Sequence, residues 1–195
     1  MTEPPTKPIT NRQRCPWAES SDAMREYHDR EWGVPSHDDR HLYEMLLLEG
    51  AQAGLSWSTV LNKRATYRAA FDGFDAERIA AYDDAKVAAL LEDPGIIRNR
   101  LKVRGAVTNA QAFLAVRDEL GSFARYLWAW VDDAPIVHRL VSTAELPTRT
   151  ELSDQISKDL KRRGFKFVGT TIVYSYLQAV GVIDDHLITC PAKRG

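Results

Sequence analysis

Cysteine is nearly absent from this 195-residue chain: Cys15 and Cys190 are its only two, one towards each end. Two cannot build the disulfide framework of a small secreted scaffold, and their scarcity suits a reducing compartment. They remain open to three roles: metal ligands, plain thiols or a single bridge. Long apolar runs are missing as well. No stretch approaches the roughly 20 residues a membrane helix needs, and the opening MTEPPTKPITNRQR has no apolar segment of the secretory kind. A cytoplasmic protein with no membrane partner is expected. Net charge is also small, with 26 Lys and Arg against 27 Asp and Glu. The molecule as a whole does not attract a polyanion, so any nucleic-acid surface must be local.

What is present reads as one helical domain. Hydrophobic residues make up 44% and charged residues 27%, enough to bury a core and too apolar for a disordered tail. Residues 1–14 hold three of the nine prolines and no periodic pattern, which reads as a flexible leader before a single domain over 15–195. From Asp39 onward apolar residues recur at three- and four-residue spacing, with few alternating β-branched runs. Helices are expected over 39–53, 57–71, 76–82, 85–92, 94–120 in two pieces, 123–131, 150–163 and 170–180, with caps at Ser56, Asp75 and Asp84. The expected class is all-α.

One carboxylate sits on an apolar stripe. Helical spacing lines Glu49 up with Leu42, Met45, Leu46 and Ala53, while Glu44 points the other way. A bare buried carboxylate costs several kcal/mol, so Glu49 must be paired, protonated or lining a pocket. A structural Glu bonded to an Arg or a backbone amide explains the pattern as well as a site residue does. The following Gly50-Ala51-Gln52-Ala53-Gly54-Leu55-Ser56-Trp57 delivers an indole next to small residues, giving a slot for a flat, cationic or N–H-bearing ring. Trp17, Tyr27 and Trp32 crowd the segment before it. Core filling accounts for most single aromatic rings, Trp128 and Trp130 above all, but the Tyr27 hydroxyl needs a partner.

Two further constellations carry chemistry. Cys15 with His28, and His186 with Cys190, form two soft-ligand pairs that suit a closed, structural zinc tying both ends of the chain together. Plain thiols and core histidines explain the same residues, and His37 with His41 is a rival pair in a solvated helix start. The stretch Lys161-Arg162-Arg163-Gly164-Phe165-Lys166-Phe167-Val168-Gly169-Thr170-Thr171 reads as helix, hairpin, helix. Its second helix would present free N–H groups beside Lys161, Arg162 and Lys166, a phosphate clamp completed by Gly169 and Thr170. Basic residues that merely complement a helix dipole explain it too. Arg98 to Arg104 is a second basic run of either kind.

Together, Arg14-Cys15-Pro16-Trp17, Tyr27-His28-Asp29-Arg30-Glu31-Trp32-Gly33-Val34-Pro35, Leu48 through Trp57 and Lys161 through Thr171 resemble the 3-methyladenine DNA glycosylase I family of the helix-hairpin-helix superfamily. The resemblance spans Arg14 to Cys190. It implies a helix-hairpin-helix DNA glycosylase-like fold, one structural zinc on Cys15, His28, His186 and Cys190, and a base pocket of Glu49, Tyr27 and Trp57 lined by Trp17 and Trp32. It further implies a monofunctional DNA repair enzyme that acts on damaged double-stranded DNA as a monomer and hydrolyses the N-glycosidic bond of 3-methyladenine. In that reading Glu49 is the catalytic carboxylate. The rival expectation is a zinc-stapled helix-hairpin-helix module that binds DNA without catalysis. Three positions depart from the family: Met24 where tyrosine is common, Asp184 where asparagine is common, and Phe167-Val168-Gly169 where the superfamily favours Gly-hydrophobic-Gly.

Overall fold

Side-chain caps set most of the helix starts in the computed structural model, which describes residues 13–194. After a short 3-10 turn at Pro16–Ser20 comes α1 (Asp22–Arg30), capped by Ser21. Then follow α2 (Asp39–Gln52), α3 (Trp57–Leu61), α4 (Arg64–Ala70), α5 (Ala76–Ala80), α6 (Asp84–Glu92), α7 (Arg100–Leu120) and α8 (Phe123–Trp128). Helices α9 (Glu151–Arg162) and α10 (Thr170–Ala179) complete the set. Ser56 and Asp75 cap as expected, each accepting from an N–H of the first turn. At α6 the cap is Asp83, one residue before the Asp84 that sequence reading chose.

Two expected boundaries moved and one helix was unexpected, for identifiable reasons. The segment 57–71 is two helices, because the chain turns at Asn62 and Lys63 before α4 begins. The long segment starts only at Arg100, where the Asn99 side chain accepts from the Lys102 N–H, and the Asp93-Pro94-Gly95 turn precedes it. Helix α1 was not foreseen at all; nine mostly polar residues bury only Met24, Tyr27 and His28, too few for a visible stripe.

Helix α2 lies at the centre, packed against α3, α7, α8 and α10. Every residue from Leu42 to Ala51 is buried, so what looked like an amphipathic stripe is a helix enclosed on all sides. The largest fully buried rings are its own Tyr43 and, on the helices packed against it, Trp128, Tyr176 and Phe113 among others. Helices α9 and α10 pack as a hairpin pair whose tip spans residues 163–169.

The described residues are predominantly helical, with one small sheet among them. Strand β1 (Ile136–Val137) runs parallel to β2 (Ile183–Asp184), and a bridge between Leu140 and Leu187 extends the contact. The loop over 132–147 is thereby docked along the C-terminal segment. Gly181, at φ +73°, lies so close to the Val34 backbone that a Cβ would stand 2.2 Å from its carbonyl carbon, and only glycine fits there. Of the expected leader, residues 1–12 lie outside the described residues. Gln13 donates its N–H to the Thr189 carbonyl and Arg14 pairs with Asp29.

Candidate active site

The C-terminal half of α2 and the start of α3 build one wall of a cavity of about 300 Å³. Glu49 and Gln52 come from α2, Trp57 from α3, Met24 and Tyr27 from α1, and Trp17 and Trp32 from the flanking N-terminal segment. Leu146 of the docked loop and Ser175 and Gln178 of α10 close the other side. Every base-pocket residue singled out from the sequence is therefore in one place. The rings meet as aromatic pairs do. Tyr27 and Trp57 lie 5.2 Å apart at 48°, and Trp17 stands edge-on to Trp32 at 5.0 Å.

Glu49 is 3% exposed, and its Oε2 has no hydrogen-bond partner. Burial alone pushes its carboxyl up to about 8, which favours the neutral acid near pH 7. The Trp57 indole N–H is likewise buried without a partner. Two orphaned polar groups of opposite hydrogen-bonding sense in one aromatic cavity are unusual, since buried polar atoms are nearly always satisfied. Burial, then the Glu49 charge, also raise the Tyr27 phenol, which stays protonated and able to donate.

A larger groove, about 530 Å³, lies among Tyr126, Trp130, Asp159 and Arg163. Its half-buried charges are spent on partners: Arg163 bonds Asp159 at 2.7 Å and Glu119 at 2.7 Å, and the Tyr126 hydroxyl also donates to Asp159, while Arg125 and Asp133 line it as exposed groups. Volume alone does not mark the site; unsatisfied groups do.

The soft-ligand residues gather directly behind the aromatic wall. Donor atoms of Cys15, His28 and Cys190 lie within 4.8 Å of one another, all buried, with Cys190 Sγ 3.5 Å from His28 Nε2. His186 packs edge-on to His28 at a ring separation of 4.8 Å, and its Nε2 is buried without a partner. Its Nδ1 is 2.8 Å from Asp184, while His28 Nδ1 is 2.8 Å from Asp29. Each carboxylate thus leaves the other ring nitrogen free, the arrangement that orients imidazole towards a metal. Trp32 sits between the two features, lining the cavity on one side and touching both histidine rings on the other. Of the rival pair, His37 stacks on Trp128 at 4.4 Å. Asp184 is buried among His186, Lys193 and the Arg194 N–H and is absent from the base cavity.

At the hairpin, α9 ends in a Schellman motif: Gly164 at φ +96° donates to the Lys161 carbonyl and Phe165 to Leu160. Gly169 caps α10 without a side chain, so the first N–H groups of α10 are not side-chain capped. Lys161, Arg162 and Lys166 are exposed around this turn, although Arg162 pairs with Asp159. The Thr170 hydroxyl is committed to Asp154 and Ser153, which leaves its backbone N–H as what it offers a ligand. Asn109 of α7, missed in the sequence, holds the hairpin by accepting from the Lys166 N–H at 2.7 Å and donating to its carbonyl at 3.0 Å. In the second basic run, Lys102 is spent on the Ala51 and Ala53 carbonyls at the end of α2.

A predominantly helical frame carries an aromatic cavity with an unpaired buried carboxyl group, and an exposed basic hairpin joins its last two helices. A family model described as methyladenine glycosylase matches residues 17–193. DNA-3-methyladenine glycosylase 1 of Escherichia coli strain K12 is 47% identical over 183 residues, 94% of this chain and 98% of the relative. A crystal structure of a 3-methyladenine DNA glycosylase I superposes with a TM-score of 0.91 at 49% identity, covering 93% of this chain and 100% of the other. A substituted form of such an enzyme, solved in complex with 3-methyladenine, gives 0.90 at 35% identity over 93% and 97%. The chain belongs to the methyladenine glycosylase family.

Proposed function

We propose that this protein is a DNA repair glycosylase that hydrolyses the N-glycosidic bond of 3-methyladenine in damaged double-stranded DNA. One observation supports this above the rest: a buried carboxylate without a partner opens into an aromatic cavity in a chain of this family. Methylation at N3 leaves the base cationic. When water attacks the sugar C1′, the glycosidic bond breaks with both electrons passing to the base, which departs neutral, while the water's oxygen becomes the C1′ hydroxyl and its surplus proton passes to solvent. Little acid catalysis is then required; the protein must extrude the lesion, hold it and stabilise the charge that develops.

Glu49 is the residue for that charge. A cation entering the cavity favours its ionised form, and the ring stacked on Trp57 gains about 1 to 2 kcal/mol over a neutral base. The Tyr27 hydroxyl serves the base edge, and Trp17 and Trp32 wall the slot. Lys161, Arg162 and Lys166, with the N–H groups at Gly169 and Thr170, hold phosphates of the DNA backbone in the manner of a helix-hairpin-helix. Cys15, His28, Cys190 and His186 fit a zinc ion, because the orphaned His186 Nε2 joins a donor set of two thiols and a second imidazole. That zinc is structural: it ties Cys15 to Cys190 and stiffens the wall that carries Trp17 and Trp32. A monomer working in the cytoplasm completes the reading. In a non-catalytic DNA-binding module Glu49 and Trp57 would have no use for their unpaired groups.

Release of free base from alkylated duplex DNA tests the function; a folded preparation that releases none overturns it. Metal analysis tests the zinc, and a fully folded, active protein without near-stoichiometric metal removes that part alone.

A further inference from the structure

The cavity holds one amide that sequence reading did not reach. Gln178, on α10, lines the same cavity as Glu49. Its Nε2 donates to Asp185 Oδ2 at 2.7 Å. Asp185 is 1% exposed and also takes the Tyr174 hydroxyl on Oδ2, while its Oδ1 is 2.6 Å from His138 Nδ1. Donors converge on that carboxylate, so it acts as an acceptor and the amide nitrogen of Gln178 must face it. The carbonyl Oε1 therefore faces the other way and accepts from no described residue. The backbone is fixed as well, since the Gln178 carbonyl accepts from the Gly33 N–H at 2.9 Å, next to the cavity residue Trp32.

We propose that Gln178 is a specificity-determining residue of the base pocket, and that Asp185 is its positioning residue. Resting on the glycosylase reading above, the inference is that the locked Oε1 is a fixed acceptor for the exocyclic amine of a 6-aminopurine. An amide free to rotate would accept or donate as the ligand required. One pinned by Asp185 can only accept. A 6-oxopurine brings a carbonyl to the same spot, where two acceptors face each other and neither finds a donor, which is the arrangement that rejects an analogue most strongly. Glu49 supplies a second acceptor, and where these two acceptors meet the ring they favour an amino group over a keto group.

The test compares release of 3-methyladenine and 3-methylguanine from methylated duplex DNA by the parent and by Gln178→Met, which keeps length and loses the acceptor. Gln178→Leu repeats the loss with a different shape, and melting temperatures establish that both variants fold. The expected result is a fall in kcat/KM for 3-methyladenine of about 10- to 100-fold with little loss for 3-methylguanine, so that the ratio between them collapses by a similar factor. Quenching of tryptophan fluorescence by the two free bases should lose the same discrimination, a change that simple loosening of the fold does not produce. Equal losses on both substrates, or an unchanged ratio in folded variants, overturn the inference. A parent that releases neither base overturns the glycosylase reading itself, whatever Gln178 does.

Discussion

Helix α2 buries two carboxylates, and the chain treats them in opposite ways. Glu44 accepts from Arg64 Nε at 2.7 Å and from Arg68 at 2.8 Å, and Arg64 goes on to Glu31 at 2.7 Å. Glu49, about 140° further round the helix, is buried to a similar degree and leaves an oxygen with nothing. The physics of burial is common to both; only the supply of partners differs. A fold able to deliver two arginines to one glutamate and none to the other, five residues away, leaves the second for something that arrives later. Removing the partnered group should therefore have the larger structural effect. Glu44→Ala strands Arg64 beside the core with only Glu31 and should lower unfolding stability by about 3 kcal/mol, while the folded fraction keeps its base release. Denaturant unfolding with a release assay on the same sample checks it; preserved stability with lost activity would reverse the two roles.

Glu49→Gln is the complementary change. It keeps size and packing but replaces one acceptor oxygen with a donor, so base release and binding of free 3-methyladenine should each fall by about 1 to 3 kcal/mol while the fold holds. A destabilised but fully active variant would refute the pocket.

The same pair of proteins sharpens the comparison through pH. In the folded chain Glu49 binds its proton up to about pH 8, in the unfolded chain only to the usual 4.5. Across that window the folded state holds more protons than the unfolded state, so stability falls as pH rises, by at most about 1.4 kcal/mol per pH unit. Glu49→Gln has no such proton to lose. Its stability relative to the parent should climb steadily from pH 5 to pH 8, and parallel melting profiles over that range would mean that Glu49 is not an unpaired buried acid.

The sequence exposed one side of this contrast and hid the other. Glu49 stood out because a charge on an apolar stripe violates a local rule that needs only neighbours on the same helix. Glu44 only pointed away from the stripe, because its arginines belong to α4 and nothing local shows that α2 is enclosed all round. Distance along the chain also concealed Gln178, which reaches the cavity only once α10 is packed against α2, and Asn109, whose hairpin partner Lys166 lies on another element. Helix α1 escaped for the opposite reason: its residues are mostly polar, so Tyr27 and His28 were legible one by one, as a hydroxyl needing a partner and a soft ligand, but not as parts of one helix. The cysteines and histidines were visible by type, but that His28 and His186 each turn one nitrogen to a carboxylate is a fact of packing.

Cations around the hairpin repeat the contrast between engaged and free groups, with smaller effects. Lys102 is held by the Ala51 and Ala53 carbonyls, Arg162 is paired with Asp159, and Lys161 and Lys166 make no ion pair among the described residues. A phosphate contact releases counterions, so each one lost should flatten the log–log slope of DNA affinity against salt by roughly one. Lys161→Ala and Lys166→Ala should show that full change, weakening damaged and undamaged DNA alike because phosphates carry no information about the base. Arg162→Ala should show less, since Asp159 already neutralises part of its charge. Lys102→Met should leave the slope where it was and instead loosen the end of α2 that carries Glu49. If Lys161 and Lys166 can both be removed with no change in slope, the basic hairpin is ordinary solvated surface and the phosphates lie elsewhere.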